Sequence, residues 1–412
     1  MKIYLDNCAS TRVSPEAAKA AYFAMTETYA NPSALHTAGQ DAERLVKQTR
    51  RQLALSLGTK PGNIVFTSGG TEADNLAIFS AFYSGAGNGS AARNGAMLVS
   101  AIEHPAVYAA ADALSARGVK VSRVPVFGMD TECPGMVDIS AFREMLSPET
   151  ALVSVLHVSN EIGTIQPIEE LARILSLYNS EHGSHIRFHV DAVQSFGKLT
   201  IDVESGDFRG VDFVAMSAHK LHGPKGVGAL YAAEPEKLHP MVFGGGQEEG
   251  IRSGTENVPA IAGFGVCAHA AVSDFVSHAK QANACRRRLL EGITAEISDV
   301  HINSPMDASV TGKPGCSSPY ILSAGFPGTR GEVLLHELEK SGIFVSTGAA
   351  CSSLMKGDKK ESPLTAVGIP EEIREGTLRF GISWLNELDE MDFVVDRLKK
   401  AVARFRQTGS YQ

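Results

Sequence analysis

Three groups of residues in this chain are spaced for covalent chemistry on a carbonyl compound. Lys220 closes Ser217-Ala218-His219-Lys220, directly after an apolar run and before the turn Leu221-His222-Gly223-Pro224-Lys225-Gly226. A lysine just past the end of a buried strand sits where open α/β sheets place ligands, and loss of water there lowers its pKa from about 10.4. Such an amine attacks carbonyls. Taken alone, the motif reads as a solvated surface loop; its neighbours change that. Asp191, in His189-Val190-Asp191-Ala192-Val193-Gln194, ends the preceding apolar run. A buried carboxylate is costly without a cationic or hydrogen-bonded partner, and a protonated pyridine nitrogen is one such partner. Ser68-Gly69-Gly70-Thr71-Glu72 follows the run Ile64 to Thr67. Its glycine N–H groups, its threonine hydroxyl and the dipole of the helix it opens suit a phosphate, although the same pattern is common as a plain helix cap. No Gly-Lys-Ser/Thr follows and no G-x-G-x-x-G opens a βαβ unit, so nucleotide readings lose support.

An imine-forming lysine, a carboxylate for a ring nitrogen and a phosphate cradle are together what pyridoxal 5′-phosphate requires. The elements that must position them alternate in a βα rhythm between about residues 60 and 235. Ile64–Phe66, Ala96–Val99, Val119–Val121, Leu152–Val155, Phe188–Val190, Phe213–Met216 and Gly226–Tyr231 read as strands. Thr71–Ala81, Ala106–Ala116 and Ile168–Tyr178 read as helices between them. After about Pro259 long helices such as Ala279–Ile297 take over, which sets an expected domain boundary near residue 262.

The chain has 412 residues, 43% hydrophobic and 20% charged, enough for two or three globular domains and unlike a disordered or fibrous chain. Lys and Arg total 38 against 46 Asp and Glu, a net −8 that offers no basic field for nucleic acid or anionic membrane. No apolar run approaches the roughly 18–20 residues of a bilayer-spanning helix. The start, Met1-Lys2-Ile3-Tyr4-Leu5-Asp6, lacks the apolar stretch of a signal peptide, so a cytoplasmic location is expected. The six cysteines form no C-x-x-C, which fits neither a zinc ribbon nor a disulfide scaffold, and most are expected to be reduced.

The motifs resemble those of cysteine desulfurases in the class V aminotransferase branch, a fold-type I pyridoxal phosphate family. The likeness spans nearly the whole chain: Tyr4-Leu5-Asp6-Asn7, Asn31-Pro32-Ser33-Ala34-Leu35-His36, Thr67-Ser68-Gly69-Gly70-Thr71-Glu72, Glu103-His104-Pro105, Ser159-Asn160-Glu161-Ile162-Gly163, Asp191-Ala192-Val193-Gln194, His219-Lys220, Arg252-Ser253-Gly254-Thr255, Gly348-Ala349-Ala350-Cys351-Ser352 and Thr377-Leu378-Arg379-Phe380. The resemblance implies an α/β fold with a mostly parallel seven-stranded sheet flanked by helices (residues 15–262), and a smaller α+β domain (1–14 and 263–412) bearing the catalytic cysteine loop. It implies removal of sulfur from L-cysteine, giving L-alanine and a Cys351 persulfide. That sulfur would pass to an acceptor such as an iron–sulfur scaffold or a tRNA-thiolation enzyme, as in the group I enzymes that supply cluster assembly.

Carried over residue by residue, the likeness makes Lys220 the covalent anchor, Asp191 the partner of the ring nitrogen and Gln194 that of the ring hydroxyl, with Asn160 beside it. Gly70, Thr71, Ser217 and His219 would hold the phosphate, with Thr255 reaching in from the other subunit of a homodimer. His104 would stack on the ring and handle the substrate thiol's proton; read without the family it is a turn histidine. Arg379 would take the substrate carboxylate bidentately, with Asn160 nearby. No intrinsic metal site is expected; Cys351 would ligate an iron–sulfur cluster only transiently, with a scaffold. Lysines after Cys351 favour its thiolate. Cys267 and Cys285 read as buried, and Cys8, where the family usually has a small residue, has no assigned role. His182, His185 and His189 have metal-like spacing but straddle a loop and a strand. Gly381-Ile382-Ser383-Trp384-Leu385-Asn386 and the Lys-rich stretch after Cys351 depart from the family pattern. A selenocysteine lyase or C–S β-lyase is the nearest rival, then a decarboxylase or transaminase, then a scaffold without catalysis.

Overall fold

The computed structural model describes residues 2–83, 95–306, 315–347 and 362–408. Cys351, the expected persulfide carrier, lies outside the described residues. In chain order the strands are β1 (Ile3–Tyr4), β2 (Ile64–Thr67), β3 (Ala96–Ser100), β4 (Lys120–Val124), β5 (Thr150–Leu156), β6 (Arg187–Asp191) and β7 (Phe213–Ser217), then β8 (Gly228–Ala232), β9 (His301–Ile302), β10 (Ile321–Gly325), β11 (Ile343–Phe344), β12 (Ser346–Thr347) and β13 (Thr377–Gly381).

A seven-stranded sheet runs β2-β8-β7-β6-β5-β3-β4, parallel throughout except on both sides of β8. This is the mostly parallel sheet the sequence implies. Except for the edge strand β4, its strands are almost wholly buried because both faces are covered. Alternate residues serve opposite faces: Met97 and Val99 pack with Val107 and Leu114 of helix Pro105–Ser115, while Leu98 joins Val153, Phe188 and Met216 on the other side. Helix Gly70–Phe82 covers the first face, and Ile168–His182 and Val258–Ser273 the second.

A second core forms around the antiparallel sheet β12-β13-β10-β9 and the helices Phe275–Glu296 and Leu388–Thr408. Ile3, Leu5 and Cys8 bury in it, and β1 pairs with β11. The boundary expected near residue 262 falls inside helix Val258–Ser273, whose Phe264, Cys267 and Ala268 pack in the larger core. That helix and Phe275–Glu296, which packs in the second core, meet at 78° across Asp274. Among the described residues no single helix is long and apolar enough to cross a membrane.

Cys8, Cys267 and Cys285 are free and buried. Cys133 and Cys316, in contrast, are joined as a disulfide. They stand 183 positions apart, and only the fold, which pairs Thr164 with Ser317 next to them, brings them together. Trp384, in the stretch that departs from the family pattern, stacks on His278 and meets His222 edge-on.

Phe264→Ala removes a fully buried ring from the larger core and should cost about 3–5 kcal/mol, read as a lower denaturant midpoint. An unchanged midpoint would mean that the helix is not part of that core.

Candidate active site

Every strand that ends near the site does so at its C-terminal edge, the place where an open parallel sheet leaves a crevice. Asp191 ends β6, Ser217 ends β7 with Lys220 one short turn further on, and Asn160 follows β5. Gly70 and Thr71 open the helix that follows β2, and His104 caps helix Pro105–Ser115 after β3. With Gln194, His219 and Arg379 they line one cavity of about 300 Å³. Thr255 is not brought there: within one chain it is exposed, near Arg252, which is paired with Glu72 at 2.8 Å.

Lys220 Nζ donates to the backbone oxygens of Cys8 at 2.5 Å and Ala9 at 2.9 Å. Burial lowers its pKa to about 8, with Lys198 and Arg379 adding to the effect and Cys8 and Asp191 opposing it. Asp191 is 7% exposed and accepts from the Val193 N–H at 2.9 Å. Burial raises its carboxyl, opposed by His104, that hydrogen bond and Lys220. His104 Nδ1 accepts from the Ala106 N–H at 3.1 Å, and burial holds its pKa down. Its neutral ring therefore carries the proton on Nε2. His219 is likewise lowered, to about 4, chiefly by burial and then by Lys220, and its Nδ1 lies 3.2 Å from Ser10 Oγ.

Arg379, on β13 of the smaller core, is 4% exposed. It donates to Asn160 O at 3.0 Å and to Asp6 Oδ1 at 3.2 Å, while its Nε has no partner. Gln194 Nε2 donates to Cys8 O at 2.9 Å, leaving Oε1 buried and unpartnered, as is Ser217 Oγ. The sequence motifs assign no role to Asp6, Ser10, Asp74 or Lys225. Ser10 and Lys225 join Gly70, Thr71, Ser217 and His219 around an adjoining hollow. A signal existed for Asp74, which is three residues after Thr71 and so on the same helix face. The three spaced histidines do not share surroundings: His182 is exposed and stacked on Tyr178, whereas His189 is buried in β6 beside Ser154.

Pyridoxal 5′-phosphate fits these donors. Ser217 Oγ and Gln194 Oε1 are orphaned polar atoms on residues that line the cavity it would fill. At Gly70 a Cβ would stand 2.5 Å from Val193 Cγ2, so only glycine lets the backbone close in there.

Reductive methylation of the cofactor-free protein, followed by mass spectrometry, should show Lys220 labelling with an apparent pKa near 8, its rate levelling off while exposed lysines still accelerate toward about 10.4. A plateau shared with the surface lysines would contradict the buried amine.

The class V aminotransferase family model matches residues 3–394. The cysteine desulfurase IscS of Dictyoglomus turgidum is 33% identical over 411 residues, which span 100% of this chain and 97% of that protein. The solved structure of a NifS-like protein matches with a TM-score of 0.85 at 33% identity, covering 98% of this chain and 100% of that one. That of SspA in complex with cysteine matches with a TM-score of 0.75 at 32% identity, covering 93% and 99%. With a site whose donors suit pyridoxal 5′-phosphate and relatives of this kind along its whole length, the chain belongs to the class V aminotransferase family of pyridoxal phosphate enzymes.

Proposed function

We propose that this chain is a cysteine desulfurase that turns L-cysteine into L-alanine and leaves the sulfur as a persulfide on Cys351. The observation that carries the reading is the convergence of an amine, a carboxylate, a neutral imidazole and a guanidinium on a single cavity of about 300 Å³. The names of the relatives and the cysteine held by SspA support the substrate.

When bound, the cofactor supplies an electron sink for the bonds at the substrate's α-carbon. Asp191 would pair with its ring nitrogen; Gly70, Thr71, Ser217 and His219 would hold its phosphate, and Lys220 would be its covalent anchor. Arg379 receives the substrate carboxylate, through the Nε that lacks a partner and by exchange with Asp6. Lys220, once released, is the base for the α-proton, and a pKa near 8 suits it to exchange protons close to neutrality. His104 would handle the proton of the substrate thiol. The Cys351 thiolate attacks the substrate sulfur: an S–S bond forms, the C–S bond breaks, and the carbon takes a proton to become alanine. Cysteine and thiol thus give alanine and persulfide without an outside oxidant or reductant.

The working unit in this reading is a homodimer in which Thr255 completes the partner's phosphate site. The exposed apolar side chains of Tyr22, Phe23, Met25, Tyr29 and Leu35 suit such a contact. The persulfide then goes to an acceptor protein, an iron–sulfur scaffold or a tRNA-thiolation enzyme.

Incubation with L-cysteine and a thiol reductant should yield alanine and sulfide in equal amounts. Cys351→Ala should abolish both, and Lys220→Ala should abolish the visible absorbance of the bound cofactor. Full alanine formation by Cys351→Ala would favour a selenocysteine lyase, and pyruvate with ammonia in place of alanine a C–S β-lyase. Release of carbon dioxide, or a need for an amino acceptor, would favour a decarboxylase or transaminase. A chain without cofactor absorbance would be a scaffold. Sedimentation at a single-chain mass, or a Thr255→Ala variant with unchanged cofactor affinity, would refute the shared site.

A further inference from the structure

Beneath the cavity lies a buried polar chain for which the reaction has no stated use. Asp74, on helix Gly70–Phe82, is 1% exposed, and His189 on β6 is fully buried. Asp74 Oδ1 and His189 Nε2 face each other at 3.4 Å, and neither has another partner. His189 Nδ1 lies 2.8 Å from Ser154 Oγ. On its other side Asp74 approaches the site: one carboxylate oxygen each from Asp74 and Asp191 and one ring nitrogen of His104 lie within 4.8 Å of one another.

Two ionised carboxylates that close and out of water repel strongly. A proton on one of them removes the repulsion and creates a donor. Burial, then Asp191 and Glu103, push the Asp74 carboxyl well above the usual carboxylate range. Burial keeps His189 neutral down to about 3. A neutral His189 with its proton on Nε2 donates to Asp74 Oδ1 and accepts the Ser154 hydroxyl at Nδ1, which satisfies both orphaned atoms at once. The titratable groups facing Asp74 are Asp191 and His189 from β6, Glu103 from the turn after β3, and His104 from its helix cap; Lys220 faces Asp191.

We propose that Asp74, anchored by the Ser154–His189 pair, is a neutral acid that offers its proton toward Asp191 and so holds Asp191 as the single anion facing the cofactor's ring nitrogen. Asp74 is thus a positioning residue acting through Asp191, and this role rests on the proposed function. Asp191 alone meets the need for an anion; Asp74 fixes where that charge resides.

Two measurements test it. Infrared difference spectra of the cofactor-free protein at neutral pH, wild type minus Asp74→Asn, should contain the carbonyl stretch of a protonated carboxyl; its absence overturns the proposal. Asp74→Asn keeps an N–H donor in place and should hold the cofactor dissociation constant within about threefold, whereas the isosteric Asp74→Leu should weaken it roughly tenfold or more. Equal affinity in Asp74→Leu and wild type, or an equal loss in both variants, overturns it as well. If Asp74→Leu fails to fold, the infrared band decides alone. Absence of a borohydride-fixed cofactor on Lys220 of the wild type would defeat the functional reading, and the infrared band would still report separately on the Asp74 proton.

Discussion

The arrangement depends on keeping a carboxylate charged where water does not reach it. Asp191 ends a strand buried on both faces, and burial alone would protonate it. Its charge in turn helps burial to push up the carboxyls of Asp74 and Glu103, the latter to about 8. His104, the Val193 N–H and Lys220 favour the charged form of Asp191. In the cofactor-free chain burial lowers the amine's pKa and raises the acid's, so both charges are held against desolvation. A protonated ring nitrogen beside Asp191 and a carbonyl beside Lys220 relieve both strains together, so the fold favours a ligand that carries both groups on one ring.

The site also lies on a seam. Asp191, Lys220 and His104 belong to the larger core, whereas Arg379 sits on β13 of the smaller one. The N-terminal stretch stitches the two together: Asp6 pairs with Arg379, Asn7 Nδ2 donates to Gly381 O, the Cys8 and Ala9 oxygens hold Lys220, and Thr11 bonds His219 O. Lys220 and Arg379 are both set by this one short strap, so a shift of the smaller core carries Arg379 with it. That is a physical reason to build a site between cores: gripping the substrate and closing the cavity become one motion.

Much of this was legible in the sequence because the sheet is buried on both sides, which turns its strands into unmistakable apolar runs whose ends mark Asp191, Ser217 and Lys220. Gly70 and Thr71 were legible for the same reason, as the start of the next helix. What escaped was long-range. Asp6 reaches Arg379 across 373 positions, and the Cys133–Cys316 bond spans 183; no local pattern encodes either. Helix Val258–Ser273 is apolar nearly all round, so composition changes near residue 262 before the packing does. Asp74 was visible as a letter but silent as a role, since only the approach of β6 gives it His189 and Asp191 as neighbours.

The strap also explains how Lys220 can be both well held and reactive. Its two hydrogen bonds go to backbone oxygens, which attract the ammonium form without a formal charge that would lock it. Had a carboxylate taken their place, the ion pair would raise the amine's pKa and oppose the deprotonation that nucleophilic attack requires. With carbonyls alone, burial prevails and the pKa falls to about 8. Asp191, the nearby anion, ends β6, and in the proposed function it faces the ring nitrogen instead. Separating the anion for the heterocycle from the acceptors for the amine lets a single pocket hold one positive charge and release another.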